Sequence, residues 1–304
     1  MPLNIIFALF HNVLRRARRF VLQYLLKRAA KRSAVEPGFK FRLDYRVTRL
    51  TSRLILKKAD IVSAQAEAEA LTFVAAHTSI PVPRLRYYWE EDNEGYLIMN
   101  FVDGEILQRV WRKLTDGQRL SVMRRLAGFV EELRSLSQPV PLPESGLPHS
   151  GWIGSTQGHP FVDYCMTRED IPLGPFADER AFYDWRMSRY SQFGEVHPPT
   201  GVRLAEMRRR MPDDHPIVFT HGDISGRNVL VRVHGDGPDD VEIAAVIDWE
   251  QAGWRPIYWE ARKWIFIGPQ TLGWLEYGLH EIGGEYAQEV VYDCELGEIS
   301  AVVP

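Results

Sequence analysis

Cysteine is scarce in this chain: 304 residues hold two, Cys165 and Cys294. Two thiols so far apart make neither a metal-ligand pattern nor a disulfide framework, so a reducing compartment is the default expectation. Acidic residues are absent from positions 1–35, which carry eight basic ones (Arg15, Arg16, Arg18, Arg19, Lys27, Arg28, Lys31 and Arg32). The net charge of −3 for the whole chain therefore leaves −11 for the rest. A body that acidic is a poor fit to nucleic acid, where Lys and Arg must neutralise phosphates. The same N-terminal segment lacks a long apolar run. Its longest, Ile5 to Phe10, is far too short to span a bilayer. Internal repeats are missing too, which sets aside repeat architectures.

What is present is a globular composition, 45% apolar and 25% charged, long enough to bury a sizeable core and to split into two lobes. The basic and apolar residues of 5–32 alternate at roughly helical spacing. Three readings compete: a helix on an anionic membrane surface, an Arg-rich transit peptide, and a helix packed on the protein itself. A secretory signal is disfavoured, because four arginines follow the apolar run where a small-residue cleavage site would stand. The expected location is cytoplasmic, with peripheral membrane association or mitochondrial targeting as the alternatives.

"EPGFKF" (36–41) reads as a linker, and "RLILKKAD" as the clearest strand of a short antiparallel meander. "SAQAEAEALTFVAAHTS" predicts a helix capped by Ser63, with Leu71, Val74 and Ala75 on one face. A Pro-bounded strand, an acidic turn ending in Gly95 and the strand Tyr96 to Val102 follow. A long amphipathic helix comes next, capped by Thr115 or Asp116. Residues 138–178 are rich in Pro, Gly and Ser, and helical patterns return at 180–190 and 201–211. The expected organisation is a basic segment 1–36, a small sheet-plus-helix unit 37–102 and a larger unit 103–304.

The chemistry concentrates in "IVFTHGDISGRNVLV", residues 217–231. An apolar strand gives way to His221-Gly222-Asp223, and Asn228 opens a second strand. "HGDGPDD" reverses the chain into a third, which ends on Asp248 and runs into "WEQAGW". Hairpin pairing of the second and third strands would bring Asn228 and Asp248 to one end of the ribbon, just after Asp223. Carboxylate and amide oxygens are hard ligands suited to Mg²⁺, which takes few protein ligands and completes its shell with phosphate and water. An isolated H-x-D with an Asn five on is commonly a structural turn. Here it lies between apolar strands, with D-W-E ending the next and a lysine strand upstream, which is the layout of a kinase catalytic apparatus.

On "FTHGDISGRNVLV", "VIDWEQAGWRPIYWE", "IPVPRL" and "LIMNFVDGEIL", the chain resembles the aminoglycoside phosphotransferase and choline kinase family, in its fungal-type branch, over roughly residues 45–265. The resemblance implies an α+β, two-lobed protein-kinase-like fold, with a small antiparallel-sheet lobe and a larger, mainly helical one. It implies that Asp223 accepts or orients the proton of a substrate hydroxyl, that Asn228 and Asp248 hold Mg²⁺, and that His221 supports the loop. Arg227 would reach the transferring phosphoryl group, and Glu250 would contact metal or substrate. Lys57, with Lys58 in reserve, would bind nucleotide phosphates and pair with Glu67, chosen by the E-A-x-x-L spacing to Leu71. Backbone around Asn100 and Val102 would read the base of ATP, or of GTP in its place. No G-x-G-x-x-G lies between Phe41 and Leu56, where only Thr51 and Ser52 could assist backbone N–H groups in cradling phosphate.

The acceptor would be a hydroxyl-bearing small molecule. Trp254, Trp259 and Glu260 suggest an aromatic and acidic wall suited to a cationic or amphipathic one, although tryptophans are mostly core residues. Two rivals stand beside this reading. One is a non-catalytic kinase-like protein that binds a membrane or protein partner; the other is the same scaffold running different chemistry on a metabolite.

Overall fold

The chain passes three times between two units, Met1–Ala59 with Leu85–Phe101 and Asp60–Arg84 with Val102–Pro304. The computed structural model describes residues 3–141, 143–166, 171–196, 198–267 and 273–302, with the side chains of the first helix described from Arg15 onward.

The smaller unit begins with a long helix, α1 (Leu3–Val35). Its sheet holds β1 (Val47–Arg49), β2 (Leu54–Asp60), β3 (Leu85–Glu91) and β4 (Glu94–Asn100) in the order β1-β2-β4-β3. β3 and β4 form a hairpin closed by Asp92 and Asn93, with φ of 53° and 62°. Left-handed residues in a two-residue loop match the right-handed twist of the strands they join. β4 thus starts at Glu94, and Gly95 lies inside it rather than in the turn. Leu50, Leu56 and Trp89 form the core of this unit, and Leu22, Leu25 and Leu26 of α1 pack against it. Arg15 and Arg18 reach Glu91 at 2.6 and 2.9 Å, and Arg19 binds Glu91 and Asp92. Helix α1 is therefore docked on the sheet by an apolar seam and a cluster of arginines. Among the described residues no helix is long and apolar enough to cross a membrane.

In the larger unit, α2 (Ile61–His77) starts three residues earlier than a Ser63 cap would set it. Asp60, not Ser63, is the N-cap, accepting from the Ser63 N–H at 2.9 Å. Ala64, Ala66, Ala68, Ala70, Leu71 and Val74 are buried while Ala75 is exposed, so the small side chains, not a narrow stripe, set the packing. β5 (Glu105–Ile106) leads through the short α3 (Leu107–Val110) to α4 (Asp116–Arg134), whose Thr115 and Gln118 form a reciprocal capping box. Residues 150–166 and 171–178 have little regular structure yet pack tightly: Trp152, Ile153 and Phe161 are buried, and isolated bridges pair Ile153 with Phe176 and Phe161 with Leu173. Helices α5 (Glu179–Val196) and α6 (Pro198–Arg210) precede β6 (Ile217–Thr220), β7 (Val229–Val233), β8 (Val241–Val246) and β9 (Gly253–Pro256). β7 and β8 form the expected hairpin inside a β5-β7-β8 sheet, and β6 pairs with β9. α7 (Trp259–Ile267), α8 (Trp274–Gly278) and α9 (Ala287–Val302) complete the unit. The architecture is α+β.

Candidate catalytic site

The turn 221–228 leaves β6 and enters β7, and its shape is set by backbone hydrogen bonds to neighbouring side chains. The buried carboxylate of Glu260, on α7, accepts from the N–H groups of His221 (2.7 Å) and Gly222 (3.1 Å). His221 Nδ1 accepts from the Asp223 N–H at 3.1 Å, so its Nε2 is the protonated nitrogen and donates to the Ile247 carbonyl at 3.2 Å. Both ring nitrogens serve the backbone. Gly222 sits at φ 72°, and a Cβ there would lie 2.9 Å from the Gln251 carbonyl oxygen. The H-G-D spelling thus needs its glycine for conformation and for space.

Asp223 is held from the other side. The Asn228 amide Nδ2 donates to the Asp223 carbonyl and to Oδ2, each at 2.9 Å. Burial pushes the Asp223 carboxyl up to about 7; Asp248 adds to the rise, while Lys263, the Asn228 hydrogen bond and Arg227 oppose it. Arg227 itself is exposed. A carboxyl poised near neutrality is suited to accepting a proton in the physiological range.

Asp248 stands two residues beyond β8, at φ 69°. A non-glycine residue held there costs on the order of 1–3 kcal/mol, strain that structures retain chiefly at functional sites. The Ile247 N–H donates to the Asn228 carbonyl at 2.8 Å, which continues the β7–β8 ladder and puts residues 228 and 248 at the same end of the hairpin. The Val246 N–H donates to the Pro81 carbonyl at 2.8 Å and so ties the segment after α2 to β8. Glu67, Asp248 and Glu250 offer carboxylate oxygens that all lie within 4.8 Å of one another. Tyr164 donates its hydroxyl to Glu250 at 3.2 Å. Like charges so close favour a bound cation or a shared proton. Because Asn228 turns its NH₂ toward Asp223, its amide oxygen is the atom left for a hard cation. This donor set of carboxylates and one amide oxygen fits Mg²⁺.

The sequence reading did not single out the support beneath this loop. Lys263 is fully buried and donates to Asp163 and to Gln251, both at 2.8 Å. Burial lowers its pKa, but the Asp163 charge and hydrogen bond, together with Cys165 and Asp223, outweigh that and raise it above the ordinary lysine value. Its only local cue is a lysine between the tryptophans of "WEARKW".

Trp254, Trp259 and Glu260 lie in the interior of the larger unit. All three are buried: Trp254 donates to the Thr156 carbonyl at 3.1 Å, Trp259 donates to Asp163 at 3.0 Å, and Glu260 holds the loop. The expected aromatic and acidic acceptor wall would therefore be built from side chains that are interior in this structure.

The remaining residues of interest are spread over both units. Lys57 lies in the smaller unit, buried on β2, whereas Glu67 lies on α2 in the larger one. Leu54 and Leu56 turn toward the unit's core. Lys58, on their side of the strand, is exposed and pairs with Glu94 at 3.0 Å. Asn100 ends β4 and accepts from Arg86 Nε at 2.7 Å; Val102 follows two residues later, half-buried. In the β1–β2 turn, the Thr51 hydroxyl accepts from the N–H groups of Arg53 (3.1 Å) and Leu54 (3.0 Å), so it shapes the turn itself.

An α+β chain with a polar strand–loop–strand element of this geometry belongs to the kinase-like class of folds. The sequence profile of the APH phosphotransferase enzyme family matches residues 31–277, and the chain belongs to that family. Solved structures of similar fold include the GDP and kanamycin complex of APH(2")-IIia, with 13% identity, 90% of each chain covered and a TM-score of 0.56. The streptomycin-ATP-APH(2")-IIa ternary complex is similar at 13% identity and a TM-score of 0.51, covering 84% of this chain and 79% of that one. The gentamicin-APH(2")-IIa complex matches at 13% identity and a TM-score of 0.50, over 80% of this chain and 74% of its own. None of the curated protein sequences matches this chain significantly.

Proposed function

We propose that this protein is a Mg²⁺-dependent small-molecule kinase that moves the γ-phosphoryl group of ATP, or of GTP, to a hydroxyl. The observation that carries the reading is the junction of Asp223, fixed by Asn228 and poised near neutrality, with a hairpin end bearing Asp248. Asp223 would orient the acceptor hydroxyl and take its proton as the oxygen attacks phosphorus. Asn228 and Asp248 would hold Mg²⁺, which when bound neutralises charge on the nucleotide phosphates. Arg227, exposed beside Asn228, would pair with the transferring group. His221 and Glu260 keep the loop in place through backbone contacts. Lys57, in the smaller unit, would meet the phosphates, and the backbone around Asn100 and Val102 the base; Glu67 would be either the lysine's partner or a further carboxylate near the metal. A cationic or amphipathic acceptor would be recognised through Trp254, Trp259 and Glu260, which are interior in this structure.

The first test is thermal unfolding of wild type and Asp248→Asn with and without Mg-ATP and Mg-GTP. Saturation at a hundred times Kd adds about 2.7 kcal/mol, a rise of several degrees in a chain of this size. The rise is expected in wild type only, and only with Mg²⁺. Asp223→Asn should keep the rise and lose turnover, with a product heavier by one phosphoryl group in wild type alone. A nucleotidyl adduct or an isomer as product would mean different chemistry. The glycine-free β1–β2 turn, with Thr51 already committed to its own backbone, favours one other reading: a kinase-like protein that binds without catalysing. Absence of any nucleotide shift in a folded sample would support that reading instead.

A further inference from the structure

We propose that the outward face of α1 is a docking surface for an anionic lipid bilayer, a function separate from phosphoryl transfer and independent of it. The structure divides the basic residues of this helix into two sets with different partners. Arg15, Arg18 and Arg19 turn to the sheet and neutralise Glu91 and Asp92; Arg32 binds Glu36 and lies 4.4 Å over the ring of Phe39. Ala29 is buried, and Leu22, Leu25 and Leu26 fill the seam. That set anchors the helix.

The second set faces water. Arg16, Lys27, Arg28 and Lys31 are exposed, and none of them makes an ion pair given among the described residues. Phe20 and Tyr24 lie between them, 73% and 56% exposed. At about 100° per residue, Arg16, Phe20, Tyr24, Lys27 and Lys31 fall within one quadrant of the helix, with Arg28 at its edge. No acid occurs in the first 35 residues to interrupt the stripe.

Basic side chains interleaved with exposed aromatics suit the bilayer interface, where the rings enter the headgroup region and the cations meet anionic lipids. Docking on the sheet fixes the helix before it meets the surface, so little ordering cost remains for binding. The charge of −11 on residues 36–304 disfavours a nucleic acid as the occupant.

The test is sedimentation of the full chain with vesicles of phosphatidylcholine alone or mixed with phosphatidylserine, at low and high salt. Binding is expected only to the mixed vesicles and should weaken with salt. Lys27→Gln/Arg28→Gln/Lys31→Gln should weaken it by about fivefold per charge, on the order of a hundredfold together. Phe20→Ser/Tyr24→Ser should weaken it by a smaller factor while keeping the salt dependence. The melting temperature of both variants should match wild type, because neither touches the anchoring set; if the triple variant unfolds, the double variant and the salt series still decide. Failure to bind mixed vesicles, equal binding to neutral ones, or insensitivity to both variants would overturn the proposal. So would tighter capture by polyuridylate or polyglutamate than by the mixed vesicles.

Discussion

Asp223 and Asp293 are both withdrawn from water in the larger unit, and the protein handles their charges in opposite ways. Asp293, on α9, is fully buried between the Arg186 guanidinium and Arg262 Nε, the latter at 2.6 Å. Burial alone would raise its pKa, but the two guanidiniums outweigh that and hold it below the ordinary carboxylate range. Asp223 meets no guanidinium in contact among the described residues. It receives an amide from Asn228, while Lys263, the positive charge that opposes its rise most, is committed to Asp163 and Gln251. Desolvation therefore wins at Asp223 and loses at Asp293. A buried carboxylate that is fully compensated holds structure together; one left undercompensated is ready to take a proton or a cation.

The largest effect should come from breaking the compensated site. Asp293→Ala leaves two buried guanidiniums without their counter-charge, and loss of one partner from a buried pair costs about 3–5 kcal/mol. Chemical unfolding of the variant should show that loss, and a cost under about 1 kcal/mol would mean the cluster is solvated and the contrast with Asp223 false.

Asp223→Asn should do the reverse. A carboxyl whose folded pKa stands near 7 against an ordinary 3.8 holds its proton in the folded state across that interval. Wild-type stability then falls as pH rises from about 4 to about 7 and is level beyond, because the unfolded chain binds fewer protons there. In metal-free buffer the variant should melt with wild type at the acid end and above it at neutral pH. A melting difference that is constant with pH would show that Asp223 is not desolvated as its position indicates.

The smallest effect belongs to a counterpart whose partners stay partly in water. Arg15, Arg18 and Arg19 offset the desolvation of Glu91 and bring its pKa down to about 2. Their heads remain partly in water, so Glu91→Gln should cost at most about 1 kcal/mol and less in high salt. Its contribution is present above the ordinary carboxylate pKa and lost as pH falls toward 2. A loss as large as that of Asp293→Ala, insensitive to salt, would erase the distinction between the two arginine clusters.

What could be read directly was local. The apolar strands around H-G-D-I-S-G-R-N, the hairpin that sets residues 228 and 248 at one end, and the Thr115 cap each depend on residues a few positions apart, so periodicity and turn chemistry announce them. Strand alternation separates Lys57 from Lys58 by face, whereas the burial of Lys57 depends on what packs over β2. The helix cap was missed by three residues because Asp60 and Ser63 are both good capping residues, and only the backbone geometry chooses between them.

Other features depend on partners distant in sequence. Trp254, Trp259 and Glu260 look the same on paper whether they line a pocket or fill a core; their hydrogen bonds to Thr156, Asp163 and the 221–222 backbone make them interior. The meeting of Glu67 with Asp248 and Glu250 joins residues far apart along the chain. So does the acidic hairpin turn at residues 91–92 that selects which arginines of α1 face inward. The sequence by itself determined the chemical inventory and the local elements that carry it, because these follow from backbone sterics and short-range pairing. The tertiary structure decided which charges are compensated and which stay available, because desolvation and Coulomb energies depend on distances that only the folded chain defines.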